Sequence, residues 1–152
     1  MSASEKLVAL GLALPEVATP VAAYVPAVRT GNYVYTSGQL PFVDGKLQGT
    51  GKVGDSVTVE QAAGFARTAA LNALAAAAQA AGGLDAIKQV VKVVCFVSSA
   101  TDFTGQAQVA NGASELLIDV FGDAGKHARS AVGMAVLPLD TPVEVEIVVE
   151  VL

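Results

Sequence analysis

The fold is decided by the C-terminal stretch Lys126-His-Ala-Arg-Ser-Ala-Val-Gly-Met-Ala-Val-Leu-Pro-Leu-Asp-Thr-Pro-Val-Glu-Val-Glu-Ile-Val-Val-Glu-Val-Leu152. Two segments of this stretch, 127–136 and 143–151, alternate with a period of two residues, which is typical of β-strands. The connection between them contains Pro138 and Pro142, which cannot donate hydrogen bonds to a sheet ladder. The stretch therefore predicts two antiparallel strands around a turn.

One face of the first predicted strand carries an arginine among small residues. Alternation places Arg129 on the same face as His127, Ala131 and Gly133. A planar guanidinium with small neighbours has room to bind a carboxylate through two parallel hydrogen bonds. The alternative is a solvated charge at the edge of a sheet, which is the commoner situation for a surface arginine. Strand position alone leaves both interpretations open.

Two blocks of the sequence resemble the reactive intermediate deaminase family (RidA, YjgF-like, also called endoribonuclease L-PSP). The C-terminal block is Ala128-Arg-Ser-Ala-Val132, followed by Leu137-Pro138 and by Val143-Glu-Val-Glu146. The second is Tyr24-Val-Pro-Ala-Val-Arg-Thr-Gly-Asn-Tyr-Val-Tyr-Thr-Ser-Gly-Gln-Leu-Pro41. Both occur in the family's order and spacing, so the resemblance runs from about Ala18 to the end. Residues 1–17 lie outside the usual pattern and are interpreted as an N-terminal helical extension of a longer-chain subgroup.

The order of predicted elements agrees with one α+β domain over residues 1–152, a mixed sheet with two helices packed on one face. Helices are expected at 2–14, at 58–81 and from 102 or 104 to 121, and strands at 24–29, 33–36, 89–97, 127–136 and 143–151, with a further strand or ribbon within 40–48. The family resemblance implies the chorismate-mutase-like fold and a homotrimer around a barrel of sheets.

The same resemblance implies an activity and a set of site residues. Family members hydrolyse enamines and imines of the 2-aminoacrylate type to 2-oxo acids and ammonia, without a metal or organic cofactor. By motif, Arg129 is the clamp for the substrate carboxylate, and Glu144 positions the water or handles the proton. The positions that match substrate-binding residues are Tyr24, Ser37, Gly38, Asn111 and Ala131. Two of these matches depart from the family pattern, since Ala22-Ala23 stand where Gly-Pro is common and Ala131 where many members carry cysteine.

Composition narrows the functional classes. Hydrophobic residues make up 53% of the chain and charged residues 15%, against a usual charged share of about 25%. Such a surface is either unusually apolar or covered by partner subunits, and the second interpretation fits a trimer. The net charge of -5, with no cluster of Lys and Arg, makes a nucleic-acid partner and a ribonuclease activity the less favoured expectation. The remaining alternative is a non-catalytic trimer that binds small carboxylates.

Membrane and export signals are not expected. The longest uncharged run, 68–84, is rich in alanine and interrupted by Asn72 and Gln79, so it is a poor candidate for spanning a bilayer about 30 Å thick. The start of the sequence lacks the basic region of a secretory signal, which favours a cytoplasmic location.

Two further residues have the chemistry for catalysis but are interpreted as structural. The single histidine, His127, rules out a metal centre built on imidazoles and is expected to be partly exposed where a strand begins. The single cysteine, Cys95, lies in a valine-rich strand and is expected to be a buried, inert thiol.

The spacing of Arg129 and Glu144 leads to a prediction about where the site lies. If the last two strands form an antiparallel pair, each residue lies near the start of its own strand, at opposite ends of the sheet. At about 3.3 Å per residue the two are then roughly 20 Å apart in one chain. One small substrate cannot contact both, so the sequence predicts composite sites between subunits of a closed ring.

Overall fold

The computed structural model describes residues 1–20 and 22–152. The helices are α1 (Ala3–Ala9), α2 (Val59–Ala81) and α3 (Gln106–Phe121), and the strands are β1 (Ala27–Thr30), β2 (Tyr33–Thr36), β3 (Phe42–Val43), β4 (Lys46–Leu47), β5 (Ile87–Ser98), β6 (Ala128–Met134) and β7 (Val143–Val151). Five strands form a mixed sheet in the order β1-β2-β7-β5-β6, in which β5 and β6 are parallel and the other pairs antiparallel. The expected α+β fold with a mixed sheet is confirmed.

The C-terminal stretch forms both predicted strands, but they are not neighbours. β7 has the predicted bounds, and β6 is shorter than the expected 127–136. β5 lies between them, parallel to β6 and antiparallel to β7, so the predicted pairing of the last two strands is wrong. Residues 135–142 are long enough to cross one strand, and left-handed backbone at Leu139 (φ 57°) and Asp140 (φ 58°) turns the chain within that crossing. The apolar β5 has neighbours on both sides, as expected for an interior strand.

Both long helices cover one face of the sheet, as predicted. Helix α2 begins with a capping box between Thr58 and Gln61 and ends at Gly82, which has left-handed backbone (φ 93°). Its buried face is mostly alanine, which lets the helix axis approach the sheet closely. Helix α3 packs tightly beside it, because a Cβ at Gly112 would collide with the carbonyl oxygen of Ala63. The core between helices and sheet takes one alternate set of residues from the interior strands: Val93, Cys95, Val97, Val143, Val145 and Ile147.

The other alternate set lies on the opposite face of the sheet, which we call the open face because neither α2 nor α3 covers it. The open face carries both charged and apolar side chains. The large apolar side chains that are strongly exposed there are Val28 (54%), Tyr33 (43%), Tyr35 (49%) and Val132 (41%).

The N-terminal helix is shorter than predicted. It begins at a capping box between Ser2 and Glu5 and ends at Ala9 rather than at residue 14, since Gly11 has left-handed backbone (φ 73°). The backbone N–H and the hydroxyl of Ser4 donate to Asp85, at 2.9 and 2.5 Å. These hydrogen bonds lower the pKa of the Asp85 carboxyl and attach the helix to the 3₁₀ turn before β5.

Helix α3 and a two-stranded ribbon lie outside the five-stranded sheet. Helix α3 begins at Gln106, later than the predicted 102 or 104. The ribbon expected within 40–48 is the pair β3–β4. Asn72 of α2 donates to the carbonyl oxygens of Leu40 and Phe42, at 2.9 and 3.0 Å, and so fixes the chain that leads into this ribbon.

No helix within residues 1–20 and 22–152 has the length and apolarity needed to cross a membrane.

Candidate active site at Arg129 and Glu144

Three of the predicted site residues lie together on the helix side of the sheet. Arg129 and Ala131 point the same way as their β5 partners Val93 and Cys95, which face the helices. Arg129 donates through Nη1 to Asn111 Oδ1 of α3 at 2.8 Å. Ala131 packs against the core beside them. We call Asn111, Arg129 and Ala131 the arginine group.

The guanidinium has a second hydrogen-bond partner that sequence reasoning did not identify. Its Nη1 also donates to Ser114 Oγ, at 3.1 Å. Ser114 lies one turn after Asn111 on α3, so both side chains reach the same guanidinium nitrogen. Arg129 is in none of the three ion pairs found among residues 1–20 and 22–152, so in these contacts its positive charge has no carboxylate partner.

The remaining four predicted residues belong to a separate cluster at the far end of β2. Ser37 donates its backbone N–H to Pro26 O at 2.8 Å and its hydroxyl to Val25 O at 2.6 Å, which fixes the chain next to Tyr24. Gly38 packs directly on Glu144, because a Cβ at Gly38 would lie 2.5 Å from Glu144 Oε1. Tyr24 is exposed. We call Tyr24, Ser37, Gly38 and Glu144 the carboxylate group.

Glu144 carries its charge in an unfavourable setting. The side chain is half-buried on the open face, and Glu146 lies two residues further along the same face of β7. Burial, and then the charge of Glu146, raise the pKa of the Glu144 carboxyl above its usual value. Glu144 is in none of the three ion pairs described above.

The sheet separates the two groups within one chain. Arg129 is level with Val93 of β5 and faces the helices, whereas Glu144 is level with Phe96 and faces the opposite way. Three residues along a strand and two strand spacings place their Cα atoms roughly 14 Å apart, rather than the roughly 20 Å expected for a hairpin. The distance is shorter because β5 lies between the two strands and sets the register of both. One small molecule cannot contact both side chains of the same chain.

His127, which the sequence predicted to be structural, is linked to the arginine group through Ser114. It is partly exposed just before β6, as expected, but its Nε2 lies 2.9 Å from Ser114 Oγ and its Nδ1 lies 2.6 Å from Gly125 O. Strand alternation had already placed it on the face of Arg129. The missing signal was the position of α3, which alternation within one strand does not give.

The single cysteine, Cys95, lies in the core of the protein. Cys95 is fully buried, and burial raises its pKa to about 12, which confirms the expected inert thiol. Residues 1–20 and 22–152 contain no group of three or more His, Cys, Asp or Glu side chains arranged to hold a metal ion.

Fold and sequence together assign the chain to a family. A family model described as "YjgF/chorismate_mutase-like, putative endoribonuclease" matches residues 4–151. The chain belongs to this YjgF/chorismate mutase-like family, as the two sequence blocks indicated.

Individual relatives match this chain in sequence, and two of the solved structures match it in fold. Protein TCP17 of Trypanosoma cruzi is 46% identical over 142 residues, covering 93% of this chain and 89% of that protein. The crystal structure of Atu1372 from Agrobacterium tumefaciens, of unknown function, matches with a TM-score of 0.91 at 43% identity over 98% of this chain and 92% of that chain. E. coli TdcF, crystallised with bound serine, matches with a TM-score of 0.62 at 26% identity over 88% of this chain and 92% of that chain.

Proposed function

We propose that the protein hydrolyses 2-imino acids and their enamine tautomers, of the 2-aminoacrylate type, to 2-oxo acids and ammonia. The site is composite: the arginine group of one subunit and the carboxylate group of the next close around one substrate in a homotrimeric ring. The observation that carries this proposal is that Arg129 and Glu144 lie on opposite faces of one sheet and that neither forms an ion pair within residues 1–20 and 22–152.

The open face supports the ring. It exposes four large apolar side chains on β1, β2 and β6, in a chain with few charged residues. Exposed apolar side chains of this kind are typical of a subunit interface. Because the two groups lie on different surfaces of each subunit, a head-to-tail contact can bring one of each together, and such contacts form a ring when the rotation between subunits closes.

The division of labour follows from the chemistry of each group. Arg129 binds the substrate carboxylate through guanidinium hydrogens that its own chain does not use. The backbone N–H of Gly38 has no acceptor among the described residues, so it is available to a substrate oxygen beside Glu144. The substrate is thereby held at its carboxylate, with its imine carbon toward Glu144.

The reaction needs only water and proton transfer. An enamine first takes a proton on its β-carbon and becomes the iminium ion, which is also the protonated form of the imine. Water then adds its oxygen to the iminium carbon, the C=N electron pair moves to nitrogen, and Glu144 accepts the proton that the water loses. Glu144 returns this proton to the amino nitrogen, the C–N bond breaks with its electron pair going to ammonia, and the hydroxyl group loses its proton to solvent as it becomes the carbonyl of the 2-oxo acid. A carboxyl whose pKa is raised is better suited to accept and return this proton near neutral pH.

A coupled assay tests the activity. An amino-acid oxidase generates imino acids from several amino acids, and ammonia release is followed with and without the protein. We expect faster release with the wild type and no acceleration with Arg129→Ala. Absence of acceleration by the wild type for every amino acid tried would contradict the proposed hydrolysis.

A second function is favoured by one observation. The relative TdcF was crystallised with bound serine, a small carboxylate. A trimer that binds such ligands without hydrolysis needs the Arg129 clamp but not Glu144. Carboxylate binding by the wild type that is lost in Arg129→Ala, without ammonia release, would establish this alternative. In a third experiment RNA is added to the same protein, and cleavage of the RNA would support a ribonuclease activity instead.

A further inference from the structure

The hydrogen bonds of Arg129 determine which edge of its guanidinium can meet a ligand. Nη1 has two hydrogens, and both have partners, Asn111 Oδ1 at 2.8 Å and Ser114 Oγ at 3.1 Å. The hydrogens on Nε and Nη2 have no acceptor among the described residues. These two nitrogens form one side of the planar fork, with the geometry that a carboxylate accepts in two parallel hydrogen bonds.

The hydroxyl of Ser114 is oriented from its other side. Ser114 is nine-tenths buried, and its Oγ lies 2.9 Å from Nε2 of His127. Nδ1 of the same ring lies 2.6 Å from the carbonyl oxygen of Gly125, which can only accept. Nδ1 therefore carries the hydrogen, and in the neutral ring Nε2 accepts from the Ser114 hydroxyl. The lone pairs of Ser114 Oγ are left for Arg129.

The far end of this chain of hydrogen bonds is fixed by packing. Gly125 is buried, and a Cβ there would meet backbone atoms of Leu117 and Ile118 in α3 at 2.8 to 2.9 Å. The backbone of Gly125, which carries this carbonyl, is therefore packed directly against the end of α3. The donors run in one direction, from Arg129 to Ser114 and from His127 to Gly125, with the Ser114 hydroxyl donating to His127 between them.

We propose that Ser114 and His127 are positioning residues for the carboxylate clamp: together with Asn111 they hold Nη1 of Arg129, so that the Nε–Nη2 edge faces the substrate carboxylate. This inference rests on the proposed function for its ligand. His127 thereby has a role in substrate binding through Ser114, without contacting the substrate.

The tautomer of His127 provides a direct test in the ligand-free protein. Because the chain has one histidine, ¹⁵N-labelled histidine gives one pair of ring signals. We expect the neutral ring to carry its hydrogen on Nδ1. A ring with its hydrogen on Nε2 would overturn the proposal, because the Ser114 hydroxyl would then lose its acceptor.

A binding experiment tests the positioning role. The affinity of a 2-oxo acid is compared with that of its primary amide, which lacks the charge, in wild type, Ser114→Ala, His127→Ala and the double variant. We expect each single variant to lose about tenfold in affinity for the acid and little for the amide. The double variant should lose no more than the larger single loss, since the two residues act through one contact.

Thr68→Ala is the control variant, and two outcomes would overturn the positioning role. Thr68→Ala removes a hydroxyl that donates to Gly64 O within α2, and it should leave both affinities unchanged. If Ser114→Ala and His127→Ala lower the melting temperature while the folded trimer keeps wild-type discrimination, the two residues are structural only and the proposal is wrong. Equal losses for acid and amide would overturn it as well.

A protein that binds neither ligand would contradict the proposed function, and the positioning role is then judged separately. The ¹⁵N signals of the Arg129 side chain, identified by their absence in Arg129→Lys, report rotation of the guanidinium. We expect restricted rotation in wild type and faster rotation in Ser114→Ala. Fast rotation in wild type, or no change in Ser114→Ala, would overturn the positioning role whatever the ligand is.

Discussion

Arg129 is held by hydrogen bonds to side chains, whereas Glu144 is held by packing. The guanidinium donates to Asn111 and Ser114, which lie on one helix. The carboxylate makes no hydrogen bond to the described residues and rests against Gly38, where no side chain intervenes. The guanidinium is therefore oriented by its own chain, while the Glu144 carboxyl lies in a half-buried place that raises its pKa.

Under the proposed function, this difference separates substrate binding from the chemical step. A directed, fully charged fork suits recognition of a carboxylate, which is the same in substrate and product. A carboxyl with a raised pKa and no fixed partner suits proton transfer, which occurs only during the reaction. Changes in the arginine group should therefore act on affinity, and changes in the carboxylate group on turnover and stability.

The largest effect is expected from Arg129→Ala. Without the guanidinium the substrate carboxylate has no counter-charge in a partly buried site, so kcat/KM for imino acid hydrolysis should fall by about 100-fold or more. Arg129→Lys should also lose most of the activity, because a point charge cannot reproduce the two parallel hydrogen bonds. Initial rates of ammonia release, with trimer content checked by light scattering, measure both. Near-normal kcat/KM in either variant would remove the clamp assignment.

The next effect tests whether the two groups meet between subunits. Inactive Arg129→Ala and inactive Glu144→Ala proteins, refolded together in equal amounts, should regain roughly a quarter of the wild-type activity, because half of the arginine groups and half of the carboxylate groups are native and they pair at random. Mass spectrometry verifies that mixed trimers form. Mixed trimers without activity would place both groups in one subunit or remove one of them from the site.

A smaller effect is expected from Gly38→Ala. The new Cβ would lie 2.5 Å from Glu144 Oε1, so the carboxylate must move away from the position where it meets the water. We expect kcat to fall by about tenfold with little change in the affinity for a 2-oxo acid. Gly64→Ala is the matched control, since a Cβ at that helical position has nothing within 4 Å. A loss of affinity that equals the loss of kcat would end the assignment of Gly38 to the chemical step.

The sequence predicted where helices and strands lie along the chain better than it predicted which strands pair. The alternation that predicts β7 and the pattern that predicts a helix at 58–81 are local signals, and the structure confirms both. The pairing of β6 is not local. Its partner, β5, lies about 30 residues earlier in the sequence, and nothing in the alternation of β6 distinguishes a neighbour in sequence from one in space.

The site shows the same limit. The motifs gave Arg129 and Glu144 as candidates, but the short connection between β6 and β7 suggested a hairpin and left β5 out. The contacts of Ser114 and His127 at the arginine group were missed because they depend on the packing of α3 over β6, which is a tertiary fact. Side chains that hold another side chain carry no motif of their own, so sequence patterns indicate the arginine but not the residues that orient it.

The smallest effect is expected on stability. It measures how much the half-buried charge of Glu144 lowers the free energy of unfolding. Folding raises the pKa of this carboxyl, so the wild type loses stability as the pH rises from the unfolded pKa to the folded one, and the loss is complete above the folded pKa. Glu144→Gln does not titrate in this window and should unfold at a higher temperature than the wild type at neutral pH, with the advantage vanishing in acid. Thermal unfolding across a pH series measures the difference.

Glu150 on the same strand gives a control of opposite sign. Hydrogen bonds from Lys88 and Gln89 lower the pKa of the Glu150 carboxyl, so its charge stabilises the fold above its unfolded pKa, and Glu150→Gln should be the less stable protein at neutral pH. In a composite site, Arg129 of the next subunit offsets part of the cost of the Glu144 charge. Glu144→Gln should then stabilise the trimer more in an Arg129→Ala background than in the wild type. Equal stabilisation in both backgrounds would show that the two charges do not meet, and the composite site would fail on equilibrium measurements alone.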